Sequence, residues 1–396
     1  MKKFIKDVDV KGKKVLLRLD LNVPLDDNGH ITDLNRIMES MVTINYLCEH
    51  KAKVIICSHL GRPKGELNLK YSLKPVALAL AKLSKYKVTF ALDTIGEDAL
   101  AKIENMKDGE IVLLENLRFD SREEANDDEF ATSLASLADL YCLDAFGTAH
   151  RKHASTYGVA SHLPSCVGFL IHKELKSAEN ILSHPKRPLV AILGGSKVDD
   201  KLPVIENLIN IADKILIGGA MSFTFVKAEG GNVGNSLVDE TRLEDVKKWL
   251  QLAEEKNVQI ILPVDYVCNK SIDCTDKPVT FEASNIEDGY MGLDIGKKTI
   301  KLFKKNIKKA GSIVWNGPMG VFEKEEYSLG TKKIAKFASR SKAFTFVGGG
   351  DSVAAVVRLK CSKKINHLST GGGASLMLLS GKSLPCIDNI EEVADE

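Results

Sequence analysis

The sequence predicts an α/β protein: two doubly wound parallel-sheet lobes of similar size joined by a hinge. Three observations lead there. Apolar runs of strand length alternate with amphipathic helical patterns in two successive series along the 396 residues, as expected for mostly parallel sheets covered on both faces. The stretch His184-Pro-Lys-Arg-Pro188 punctuates the chain between the two series. A chain of this length can bury two sizeable cores.

In the first series the strand-like runs are Lys14–Leu21, Lys53–Ser58, Lys87–Leu92, Glu110–Leu117 and Leu140–Phe146, with helical patterns at Asp33–Glu49, Ser72–Leu83 and Asp127–Ala138. A helical stretch, Val167–Leu182, leads to the punctuation, so the boundary is expected near residue 170 and the hinge within 165–185. The second series has strands at Leu189–Leu193, Lys214–Ile217, Gln259–Pro263, Ser312–Trp315, Ala343–Val347 and Lys364–Leu368. Its helices are Lys201–Ala212, Arg242–Lys256, Lys297–Lys309, Ser352–Leu359 and Ala374–Leu379, and Lys277–Thr280 with Glu282–Asp294 reads as a small antiparallel insertion.

Composition narrows the class. The hydrophobic share of 44% and the charged share of 27% suit a soluble globular enzyme. No apolar run reaches membrane-spanning length, and MKKFIKDVDV lacks a signal-peptide core. A net charge of +2 gives no reason to propose nucleic acid or a membrane as partner. The eight cysteines are scattered without metal-ligand spacing, the usage of a reducing cytosol, so a cytoplasmic location is expected. The chain has 45 lysines and 10 arginines, yet six of the arginines precede residue 152. Arginine placed this way in a Lys-rich chain suggests two-pronged recognition of phosphate or carboxylate.

Ligands of doubly wound lobes bind beyond the carboxyl ends of the strands. In the first lobe those ends read RLDLNVP (Arg18–Pro24), SHLGRP (Ser58–Pro63), LLENLRF ending at Phe119, and LDAFGTAHRKHAST (Leu143–Thr156). Asp20, Asn22, His59, Arg62, Arg118, Arg151 and His153 therefore fall on one rim, and Arg36 opens the next helix. Five arginines and two histidines there would repel one another, and a small multiply charged anion is the expected compensation.

The second lobe shows nucleotide chemistry. LGGSKVDDK places Gly195 and Lys197 between strand and helix, with Lys201 one turn on, in a pattern that is not a Walker loop. IGGAMSFTF offers bare backbone at Gly218 and Gly219 for a flat base. WNGPMGVFE supplies Pro318 and Val321 as apolar walls and Glu323 as a ribose acceptor. GGGDS puts Gly349, Gly350, Asp351 and Ser352 at a helix start, where Asp351 serves either as a cap or as a ligand of nucleotide-bound Mg²⁺. HLSTGGGASLM places Gly371, Gly372 and Gly373 between strand and helix, suited to a phosphate at a helix N-terminus or to a plain turn.

With RLDLNVP, SHLGRP, LDAFGTAHR, LGGSKVDDK, WNGPMGVFE, GGGDS and STGGGAS in this order, the chain resembles the phosphoglycerate kinases over essentially its whole length. The resemblance implies 3-phosphoglycerate on a first domain, 1–170, and ATP or ADP with Mg²⁺ on a second, 171–380, with 381–396 returning to the first. The implied reaction is the reversible phosphoryl transfer between 1,3-bisphosphoglycerate and ADP of glycolysis and gluconeogenesis, and a monomer is expected. By position, the resemblance assigns Asp20 and Asn22 to the glycerate end. It assigns Arg62, Arg118, Arg151, His59 and His153 to the distal phosphate, and Arg36 to the reacting carboxyl. Lys197 matches the lysine on the transferred group, Lys201 the one on the nucleotide phosphates, Asp351 the Mg²⁺-linked residue, Glu323 the ribose contact and Gly371–Gly373 the helix start facing the transferred group. Departures are Ala220 for a third glycine, Lys297 for proline, Met377 and Ser380 for acidic residues, Val42 for proline and Ser196 for alanine. They bear on nucleotide affinity and stability. A dinucleotide-dependent dehydrogenase would want GxGxxG, which the sequence lacks. A regulatory module without catalysis would have lost the arginines or Lys197.

Overall fold

The computed structural model describes residues 2–196 and 199–393. The chain divides into two compact units: one runs to Leu175 and resumes at Ser383, and the other spans Lys176–Lys382.

The first unit carries β1 (Lys14–Leu19), β2 (Lys53–Cys57), β3 (Val88–Phe90), β4 (Ile111–Leu113), β5 (Leu140–Asp144) and β6 (Ser165–Val167). They form one parallel sheet in the order β3-β4-β2-β1-β5-β6. Because β1 lies between β2 and β5, the strand order reverses beside it, which places the ligand crevice beyond its carboxyl end. Val15, Leu17 and Leu19 point to one face and pack with Ile37, Ile44 and Leu47 of the helix Asn35–Glu49. That helix buries one stripe at helical spacing, and its first turn brings Arg36 toward the crevice.

The second unit carries β7 (Leu189–Leu193), β8 (Lys214–Ile217), β9 (Asn232–Val233), β10 (Gln259–Ile261), β11 (Asp265–Asn269), β12 (Val279–Glu282), β13 (Asn285–Ile286), β14 (Met291–Ile295), β15 (Ser312–Asn316), β16 (Phe344–Gly348) and β17 (His367–Leu368). The main sheet is parallel in the order β10-β8-β7-β15-β16-β17. Alternate residues of one strand enter different cores: Val190 and Ile192 pack with Trp315 and Val347, whereas Leu189, Ala191 and Leu193 pack with Val314 and Phe346. Both faces are buried, and this is why these strands read as unbroken apolar runs.

Several elements differ from the expectation, each for a local reason. β1 stops at Leu19 because Leu21 N–H donates to Ser58 Oγ at 2.9 Å instead of to a neighbouring strand. β4 stops at Leu113 because Glu115 and Asn116 take over the bonding: Glu115 accepts from Leu73 N–H at 2.8 Å, and Asn116 bonds Leu60. β6 and the helix Glu97–Glu104 were not anticipated; the latter starts because Asp93 accepts from the N–H groups of Gly96, Asp98 and Ala99. The helix expected from Val167 begins at Phe169. The insertion is a three-stranded antiparallel sheet, β12-β11-β14, whose central strand, Asp265–Asn269, the sequence pattern did not mark. The last strand shrinks to His367–Leu368, since Ser362–Lys364 forms a 3-10 turn.

Candidate active site

In the first unit the strand-end loops are stitched to each other. Asn22 Oδ1 accepts from Gly61 N–H at 2.9 Å, and Arg118 Nη1–H donates to Gly61 O at 2.8 Å. Gly61 has φ +61°, and a Cβ there would lie 2.3 Å from the Tyr71 ring, so the SHLGRP turn requires glycine. Asp20 pairs with Arg36, and its Oδ1 accepts from Asn22 N–H at 3.3 Å. One carboxylate thus occupies only part of a five-donor guanidinium, and Arg36 keeps donors for a ligand.

Arg118 is almost fully buried, paired with Glu124 at 3.3 Å, and its Nε has no partner among the described residues. A buried guanidinium donor without a protein partner on this rim is suited to an anionic ligand. Arg62 and Arg151 are exposed, and Arg151 Nε–H donates to His150 Nε2 at 3.1 Å. His59 and His153 are buried, which corrects the picture of seven clustered cations. Burial, with Arg18, Arg118 and Arg36 nearby, holds the His59 ring well below its usual value. Burial and neighbouring arginines bring His153 down to about 4. At neutral pH both histidines are uncharged, and arginine alone supplies the positive charge. Arg18, which opens RLDLNVP and is the fifth arginine of that count, is buried in β1.

In the second unit the loops after β7, β8 and β15 meet backbone to backbone. Gly194 N–H donates to Asn316 O at 3.0 Å, Gly195 N–H to Pro318 O at 2.9 Å and Gly219 N–H to Met319 O at 3.1 Å. A Cβ on Gly219, at φ +63°, would lie 2.5 Å from Gly195 N, and one on Gly194 would lie 2.1 Å from Pro318 O. Neither Gly194 nor Gly219 leaves room for a side chain of its own.

Two adjoining cavities open on this knot. The first, of about 230 Å³, is lined by Gly195, Gly219, Pro318, Val321 and Glu323, and also by Phe223, Tyr266, Leu293 and Asp294. Burial raises the Asp294 carboxyl to about 7 even though it accepts from Gly330 and Ile295 N–H. The departure Ala220 lines this cavity too. The second, of about 220 Å³, is lined by Lys201, Asn316, Gly349, Gly350, Ser352 and Gly372. Asp351 is exposed and borders both. Ser352 Oγ accepts from Gly317 N–H at 2.6 Å and so also fixes the β15 loop. Gly218 is buried with its α-carbon against Met319, where an added Cβ would lie 2.5 Å from the sulfur.

Gly371, Gly372 and Gly373 lead into the helix Gly373–Leu379, with Gly372 at φ 45° and ψ −104°. Lys197 lies outside the described residues. The sequence reading missed Asn316, whose side chain is buried and whose Nδ2 has no partner among the described residues. It sits inside WNGPMGVFE, but nothing in the motif tells a donor from a strand-end cap. It also gave no role to Phe223, Tyr266, Leu293 and Asp294, which line the first cavity.

The model of a protein family described as "Phosphoglycerate kinase" matches residues 5–382. A phosphoglycerate kinase of Clostridium kluyveri is 50% identical over 389 residues, covering 98% of each chain. One of Pseudothermotoga lettingae is 49% identical over 394 residues, covering 99% of each. Among solved structures, phosphoglycerate kinase from Coxiella burnetii matches with a TM-score of 0.90 at 37% identity over 98% of each chain.

Proposed function

The chain belongs to the phosphoglycerate kinase family, and we propose how its two sites divide that family's reaction. The reaction is the reversible transfer of a phosphoryl group between 1,3-bisphosphoglycerate and ADP, giving 3-phosphoglycerate and ATP. The observation that carries the division is the paired cavity of the second unit, an apolar compartment joined to one lined by Lys201, glycine backbone and the Asn316 amide. That is the shape and polarity of a base beside its phosphates. The nucleotide base lies against Pro318, Val321 and the Gly219 backbone, with Gly218, which lines neither cavity, supporting that turn from behind; Glu323 takes a ribose hydroxyl, and the phosphates reach Lys201, Gly349, Gly350 and Ser352. The first unit takes the phosphoglycerate, its distal phosphate on Arg62, Arg118, Arg151, His59 and His153 and its glycerate end on Asp20 and Asn22.

Mg²⁺ fits this donor set in one way. Among the described residues no three metal-binding side chains cluster, but Mg²⁺ on a nucleotide takes most of its ligands from phosphate and water and needs only one or two carboxylates. Asp351, exposed where the two cavities meet, is that carboxylate. When bound, the ion offsets charge on the β- and γ-phosphates.

The chain's own residues need no general base. The acceptor carboxylate has a pKa of roughly 3–4 in water and is already ionised at neutral pH. The obstacle is bringing one anion onto another, and unit charges about 4 Å apart cost on the order of 4 kcal/mol at an effective dielectric near 20. Arg36 offsets that charge from the substrate side. Lys197 and the N–H groups of Gly372 and Gly373 do so from the nucleotide side, the lysine's role resting on the resemblance alone; the Gly371 N–H, expected there too, donates instead to Ser369 Oγ at 3.3 Å. Asp20 orients the substrate hydroxyl and holds Arg36. The enzyme works as a cytoplasmic monomer; all eight cysteines are free thiols, and light scattering tests the monomer.

A coupled assay with 3-phosphoglycerate and Mg-ATP should show turnover, and Arg36→Ala should cut kcat by about 10²–10³-fold with little change in nucleotide affinity. A folded wild-type chain without turnover would overturn the reading.

A further inference from the structure

Beneath the rim of the first unit lies a chain of buried polar groups that the reaction, as described, does not use. Arg18, on β1, is 1% exposed and Glu123 is wholly buried. Both Glu123 oxygens accept from Ser155, Oε1 from the hydroxyl at 2.5 Å and Oε2 from the backbone N–H at 2.9 Å. With its proton committed to Glu123, Ser155 Oγ accepts from Arg18 Nε–H at 2.8 Å. Tyr141 Oη–H pins the same residue by donating to Ser155 O at 2.6 Å. Arg18 Nη1–H donates to Leu19 O, and Nη2 lies 3.1 Å from His59 Nδ1. A guanidinium can only donate, so each link made by Arg18 has one possible direction.

We propose that Arg18, held through Ser155 by Glu123, is a positioning residue that fixes His59 as an uncharged donor. Its Nη2–H bonds the Nδ1 lone pair, and the ring's single proton sits on Nε2. The proposal rests on the reading of His59 as a contact of the distal phosphate and says in what form it makes that contact. A proton on Nδ1 would face a guanidinium with no acceptor between them. Burial opposes a second proton as well, and so do the groups facing the ring: Arg18 from β1, Arg118 from the loop after β4, Arg36 from the helix after β1 and His153 from the loop after β5. The nearby acids are engaged elsewhere, Glu123 with Ser155 and Asp20 with Arg36. Recognition of the phosphate by His59 is then the same hydrogen bond throughout the range where an ordinary histidine changes charge, roughly pH 5.5–7.5.

Nitrogen NMR of the labelled, substrate-free chain reads the tautomer directly. His59 should show the Nε2–H form with no titration from about pH 5 to 8, whereas an Nδ1–H form, or a midpoint near the ordinary value of about 6.5, overturns the proposal. In Arg18→Met the ring should begin to titrate. The ratio of its KM for 3-phosphoglycerate to that of wild type should acquire a step in pH, with kcat nearly unchanged; the substrate phosphate's own ionisation near pH 6 cancels in that ratio. Because Arg18→Met strands Glu123, the double variant Arg18→Met, Glu123→Gln removes both buried charges and keeps the test open if the single variant does not fold. His59→Gln, whose amide reaches the Nε2 position, should keep KM within about threefold. His59→Asn, which reaches only Nδ1, should raise it about 10- to 100-fold. Equal KM values for the two, or a ring that stays untitrated without Arg18, would refute the positioning role. Failure of wild type to bind 3-phosphoglycerate would instead refute the reading of the rim and leave the NMR result standing by itself.

Discussion

Gly219 and Gly372 both occupy left-handed backbone, at φ +63° and +45°, and a methyl group would do different harm at each. At Gly219 it would strike Gly195 and the Pro318 carbonyl, at 2.5 and 2.8 Å. Gly219→Ala should therefore push the three loops of the nucleotide site apart, raising KM for ADP and lowering thermal stability by about 1–3 kcal/mol. At Gly372 an added Cβ meets open space, so Gly372→Ala costs only conformational strain, about 1–3 kcal/mol, expressed where we propose that the transferred group is held. Its signature is a lower kcat with an almost unchanged KM for ADP, and the reverse pattern in steady-state kinetics would remove the glycines from the transfer step. Asn316→Ala should raise KM for ADP about tenfold and leave KM for 3-phosphoglycerate unmoved, because the donor it deletes has no partner within the described protein. None of these distinctions was legible in the sequence. Glycine runs announce bare backbone but not which glycine is crowded, and Arg18 in KVLLRL differs in no visible way from a residue that emerges at the rim.

At the scale of elements, Asp144 shows how a strand end organises a helix. It closes β5 wholly buried, accepts from Ile171 N–H at 3.0 Å and from Thr43 Oγ1–H, and Thr43 in turn accepts from Phe169 N–H at 3.1 Å. These bonds start the helix at Phe169, and they join residues too distant in sequence for any pattern to reveal. The strands and long helices were legible because their apolar periodicity is local. The short β6, the Glu97–Glu104 helix and the centre of the insertion were not, because distant side chains define them. Burial raises the Asp144 carboxyl from 3.8 to about 6. The folded state therefore holds this proton more tightly than the unfolded chain, and stability falls as pH rises through that window. The difference is worth on the order of 3 kcal/mol. Asp144→Asn should remove that component: in denaturant titrations from about pH 4 to 6, the wild-type curve should decline relative to the variant's. Parallel curves would mean that Asp144 stays ionised throughout. Asp294, raised to about 7, predicts the same sign in the second unit over a window reaching one pH unit higher.

The two units have separate cores, each built on a six-stranded parallel sheet, and the second unit is one unbroken stretch of chain. A fragment of residues 176–382 should therefore fold and bind Mg-ADP in calorimetry while showing no turnover. A fragment that binds no nucleotide would locate part of that site elsewhere. The first unit has no such independence, because its last segment arrives after the second unit is complete. Cys386 N–H donates to Ala149 O at 3.2 Å and its thiol to Arg151 O at 3.0 Å, and Asn389 Nδ2–H donates to Tyr157 O at 2.9 Å. These contacts brace the loop that presents Arg151 and His153, and the thiol bond joins residues 235 positions apart. On the ribosome, then, the loop that carries Arg151 and His153 is made early and left unbraced while more than half the protein is synthesised and the second unit folds. The rim proposed to take the substrate is translated before the second unit and finished only after it.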